Sequence, residues 1–130
     1  SRLPGPQFSA ASIGNAASGQ LGVVPCGIVT ITGTGIAPAV NGVLEPNNFL
    51  GLGLPTTFQG VEVLFDNVAA PIFHVANLGV GREQVTVQAP CELNAPGTTT
   101  VTMRVSGGST VVAGVPVLRV QPGIFEVNPG

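Results

Sequence analysis

Apolar and polar residues alternate with a period of two along most of this chain. Ile28-Val29-Thr30-Ile31-Thr32, Val61-Glu62-Val63-Leu64-Phe65 and Gln84-Val85-Thr86-Val87-Gln88 each send successive side chains to opposite faces, as strands do. Residues 98–105 alternate longest, with Thr98, Thr100, Thr102 and Arg104 on one face and Thr99, Val101, Met103 and Val105 on the other. Residues 70–76 read as the return arm after Val61–Phe65, and Pro71 puts them at an edge or a strand start. Residues 110–120 follow, with Gly114 and Pro116 predicting a bulge or strand switch, and Ile124–Val127 form a short last strand. Gly33-Thr34-Gly35, Asp66-Asn67, Ala89-Pro90 and Gly107-Gly108 mark the turns. No window keeps an apolar 3.6-residue period beyond two turns. The pattern predicts an all-β, antiparallel sandwich of about 7–8 strands.

The 130 residues suffice for one domain. Residues 1–13 read as an N-terminal arm or donor strand, with Phe8 and Ile13 its only large apolar side chains past Leu3. Residues 14–130 read as the sandwich, interrupted at 36–57 by a long Pro- and Gly-rich insertion of the kind that carries function or packs as a flap.

Charge changes the picture most. Only 8% of residues are charged against 44% hydrophobic, the mean hydropathy is +0.49, and net charge is −2. Lys, Trp and Tyr are absent. Scattered cations offer no face for phosphates, so nucleic acid is excluded as a partner. The absence of Lys excludes Schiff-base chemistry and Lys–Asn cross-links. High hydrophobicity with low charge is the reverse of intrinsic disorder. The uncharged stretch from Leu3 to Leu44 is too interrupted by Pro, Gly and Ser to span a membrane.

Cys26 and Cys91 are too few for a zinc site even with His74, and they form no Cys-x-x-Cys pair. They are either a disulfide or two buried thiols. The lack of Lys and the Thr, Val, Gly and Pro content favour the disulfide and a secreted, cell-surface location. The chain starts without Met or a basic leader, which fits a mature form whose signal peptide has been removed.

Other chemical signals are weak. Gly33-Thr34-Gly35 and Gly51-Leu52-Gly53 lack the third glycine and the helix of a phosphate loop. Leu54-Pro55-Thr56-Thr57-Phe58 has Phe where a sortase signal needs Gly. His74 has no acid near it in sequence, Ser106 and Ser109 flank a turn, and the carboxylates are dispersed. No catalytic residue, metal site or cofactor is expected. No Asn-x-Ser/Thr sequon occurs, and Thr98, Thr99 and Thr100 are the candidate O-glycan acceptors.

The segment Gly27-Ile28-Val29-Thr30-Ile31-Thr32-Gly33-Thr34-Gly35 resembles the opening strand of IPT/TIG-type immunoglobulin-like domains. Over residues 12–127 the order of segments more closely resembles a bacterial family of uncharacterised C-terminal domains of secreted acidobacterial proteins. The matching segments are Asn15-Ala16-Ala17, Pro25-Cys26-Gly27, residues 54–63, residues 84–90 and Pro122-Gly123-Ile124-Phe125. Cys26 is an insertion into the family's Pro-Gly, and residues 1–11 exceed its core. In that family the domain usually ends a larger protein. The resemblance implies an Ig-like β-sandwich and no enzymatic activity.

A small sandwich with so few charges has little to keep its edges apart from those of other copies. The expectation is a non-enzymatic, extracellular structural subunit that forms a head-to-tail homopolymer, a filament or surface fibre, by strand addition, anchored through Phe8 and Ile13. The alternative for the arm is pairing within its own domain as a first strand. The alternative functions are a carbohydrate-binding or adhesion module using Asn41, Asn47, Asn48 and Phe49, and an Ig-like spacer of a larger protein.

Overall fold

A computed structural model describes residues 6–15, 21–37, 40–45, 55–79, 82–93, 97–105 and 108–118. Within them, a 3-10 turn at Ala10–Ser12 precedes ten strands. These are β1 (Ile13–Asn15), β2 (Ile28–Gly33), β3 (Gly42–Leu44), β4 (Thr57–Phe58), β5 (Val61–Phe65), β6 (Val68–Ala69), β7 (Ile72–Asn77), β8 (Glu83–Gln88), β9 (Gly97–Val105) and β10 (Gly108–Val117). One sheet runs β1-β2-β8-β7-β3; the other runs β10-β9-β5-β4, with β6 also paired to β5. All the strand pairs are antiparallel, so the all-β sandwich predicted by the period-two pattern is present.

The alternation fills one core. Val29, Ile31, Val85 and Val87 from the first sheet and Val63, Phe65, Val101 and Met103 from the second belong to a single buried cluster. Each such side chain contributes about 1.5–3 kcal/mol by leaving water. Along β9 the burial alternates as the sequence predicts, with Thr99, Val101, Met103 and Val105 inside. The register of β10 against β9 shifts between Val112 and Val115, where Gly114 takes a φ of 73°; this is the expected bulge.

Asp66 and Asn67, with φ of 52° and 73°, make the two-residue turn joining β5 to β6, with the positive φ values of a type I′ turn. Gln59 and Gly60 do the same between β4 and β5, at φ of 55° and 77°.

Two sequence expectations differ from the fold. Residues 70–76 are not the return arm of β5. That arm is the two-residue β6, after which Ala70 and Pro71 carry the chain to β7 in the other sheet. Pro71 suits this crossing because it has no N–H to leave unpaired. The 36–57 stretch is not only an insertion. Ile36, Ala37 and Val40 lie in the core, and residues 42–44 form β3. The expected strand at Ile124–Val127 lies outside the described residues.

Candidate assembly interface

The N-terminal segment lies along the side of the sandwich bounded by β1 and β10. Pro6 is buried, and its carbonyl accepts the hydroxyl of Thr110 on β10. Gln7 exchanges both backbone hydrogen bonds with Thr34, just past β2, at 2.8 and 3.0 Å. Phe8 packs, partly buried, against the core. Ser12 donates its backbone N–H to the Ser9 carbonyl, closing the 3-10 turn, and Ile13 then opens β1 opposite Ile31 with its side chain fully buried. In this chain, then, residues predicted as an arm pair within their own domain, and Ile13 belongs to the sandwich.

The segment makes a second crossing. Gly22 donates to the Ile13 carbonyl at 3.0 Å. Next to it, Val23 donates to Pro116 and accepts from Leu118, at 2.9 and 2.7 Å, as a parallel bridge to β10. Gly22 sits at a φ of 106°, a conformation natural to glycine.

No charged residue occurs in β1, β3, β4, β6 or β10, the strands that bound the two sheets. Val43 and Leu44 of β3 are exposed, and Leu78 is exposed one residue after β7. Val111 of β10 is 61% exposed. Charge lies elsewhere: Arg104 of β9 pairs with Glu62 of β5 at 3.3 Å on the outer face.

The other predicted positions are scattered. Cys26 and Cys91 form a disulfide beyond the Ile28–Gln88 end of the β2–β8 ladder, with Cα atoms 4.3 Å apart. Residues 24–27 make a turn closed by the Gly27 N–H on the Val24 carbonyl, with Pro25 second and Cys26 third at a φ of 66°, the arrangement of a type II turn. Asn41 is exposed just before β3, whereas Asn47, Asn48 and Phe49 lie outside the described residues. Thr98 is exposed and Thr100 half-buried, but Thr99 points into the core. The three threonines therefore do not form one accessible acceptor run.

His74 lies within a hydrogen-bonded row, its Nε2 3.1 Å from the Thr86 hydroxyl, which is 3.1 Å from that of Thr30. Among the described residues no group of three or more His, Cys, Asp or Glu converges to hold a metal ion. Sequence reasoning missed Glu83, whose buried carboxylate accepts from Gly35 and Ala37. Its position at the start of a strand, far in sequence from both partners, gave no signal.

No family model, curated protein or solved structure matches the chain.

Proposed function

We propose that this protein is a non-enzymatic, extracellular structural subunit that assembles with copies of itself into a filament or surface fibre by strand addition. The observation that carries this reading is the absence of charge, among the described residues, from the strands bounding the two sheets. Monomeric β-proteins guard such edges with Lys, inward-pointing charges or covering segments, because open N–H and C=O groups template pairing with another chain. This chain has no Lys, and exposes Val43, Leu44 and Val111 on or beside those edges. Residues 21–23 cover parts of β1 and β10, and Pro116 and the bulge blunt β10 further, so β3, with Val43 and Leu44 exposed, is the least guarded of these edges. Contacts between unlike edges propagate head to tail rather than closing into a dimer. The exposed disulfide fits an oxidising, extracellular setting, as does the resemblance to domains of secreted bacterial proteins.

Negative-stain electron microscopy of protein purified without denaturant tests the proposal. Regular filaments are the expected result. Dispersed particles that elute as a 13.0 kDa monomer would overturn it.

A further inference from the structure

We propose that the groove beside β2 that holds residues 6–13 also accepts the same segment from a second copy, and that Gly33 keeps this groove open. The inference rests on the assembly reading and specifies its acceptor site.

Gly33 is informative because its backbone does not call for glycine; it is not among the residues with positive φ. What calls for glycine is space. A Cβ at this position would fall on the carbonyl oxygen of Gln7, 3.1 Å from that carbonyl's carbon and 3.3 Å from Cδ1 of Ile36. The two atoms met first belong to one backbone carbonyl, which cannot rotate away as a side chain can. Any side chain at residue 33 therefore evicts the incoming segment where it pairs with Thr34.

The contacts that hold the segment are indifferent to which copy supplies it. They are the paired backbone bonds of Gln7 and Thr34, the Thr110 hydroxyl on the Pro6 carbonyl, the partly buried Phe8 and the buried Ile13 opposite Ile31. Each joins the segment to residues more than a dozen positions away. An identical segment from a neighbour makes the same bonds, so exchange conserves contact energy and is governed by concentration. Residues 6–15 and β2 carry no charge, so no repulsion opposes a second copy.

Two full-length variants test this. Ile13→Asp spoils the donor and leaves the groove, whereas Gly33→Val closes the groove and leaves the donor. The two are mixed in equal amounts under mild urea, returned to buffer, and sized by native mass spectrometry. Circular dichroism confirms that each is folded. Gln7→Pro, which removes the N–H given to Thr34, and Gly33→Ala replace either variant that is not. Each variant alone is expected to remain a monomer, and the mixture to give a one-to-one dimer that grows no further. Wild type is imaged in parallel. A mixture that stays monomeric while wild type and Gly33→Val both form filaments overturns the acceptor site and leaves assembly standing. A heterodimer without wild-type filaments supports the acceptor site and overturns the filament. Monomers throughout overturn both.

Discussion

The carboxylate of Glu83 accepts the backbone N–H of Ala37 at 2.8 Å, while its other oxygen takes the N–H of Gly35 at 3.1 Å. One buried side chain at the start of β8 thus shapes the chain as it leaves β2 and turns Ile36 and Ala37 into the core. Asn77, paired with Glu83 across β7 and β8, adds a bond from its side-chain amide to the Ala37 carbonyl at 3.0 Å.

Glu83→Ala leaves two N–H groups without their acceptor. Bonds to a charged group contribute about 1.5–3 kcal/mol each, partly offset by the cost of burying the carboxylate. The expected net loss is about 2–3 kcal/mol, read as a lower urea midpoint by far-ultraviolet circular dichroism. Glu45→Ala, at an exposed position after β3, is expected to shift stability by less than about 0.5 kcal/mol. Equal effects would mean that Glu83 does not organise this turn.

How legible the fold was depends on strand length. β2, β5, β8 and β9 each have five or more residues, enough to display their period, and β10 announced its bulge through Gly114. β1, β3, β4 and β6 have two or three residues, too few for any alternation to show. Their existence is decided by partners such as Ile31 for Ile13 and Val75 for Leu44, which lie far along the chain. For the same reason nothing local distinguishes Glu83 from the other dispersed carboxylates, and the closeness of Gly33 to Gln7 is hidden in a segment that reads as a simple turn. Asp66-Asn67 was readable because both residues tolerate positive φ.

The disulfide predicts a large response to reductant. It closes a sequence separation of 65 residues, for which chain entropy gives about 4 kcal/mol. Both cysteines are exposed, so a reductant reaches them without global unfolding. Urea unfolding with and without dithiothreitol, and of the Cys26→Ser, Cys91→Ser double variant, measures the contribution. Reduced protein and double variant are expected to lose the same amount. No shift in either would mean that the β2–β8 ladder alone restrains this end.

Arg104 and Glu62 illustrate the opposite weighting. Their side chains are 57% and 26% exposed, so water and salt screen the 3.3 Å pair. A double-mutant cycle to alanine is expected to return a coupling below about 0.5 kcal/mol, shrinking further at high salt. Met103, the preceding residue of β9, is fully buried, and Met103→Ala is expected to lose about 2–5 kcal/mol. Calorimetric midpoints of the two single variants would order them directly. A larger effect at Arg104 would contradict the assignment of stability to the core.

Thr99 offers a stabilising substitution. It faces inward on β9, opposite Val115, and only 2% of its surface is exposed. Among the described residues its hydroxyl is the buried side-chain oxygen without a hydrogen-bond partner. A buried polar group in that condition has lost its water and gained nothing in return. Thr99→Val keeps the branched shape, removes the hydroxyl and is expected to raise stability by about 1 kcal/mol, seen as a higher midpoint in heat and in urea. Thr99→Ala removes a methyl as well and is expected to be no more stable than wild type, because the vacated volume costs packing. Thr100→Val, on the half-buried outer face, is expected to change little. If Thr99→Val is instead destabilised, the hydroxyl has a partner, such as a bound water, and the inward face of β9 is more polar than its valines and methionine suggest.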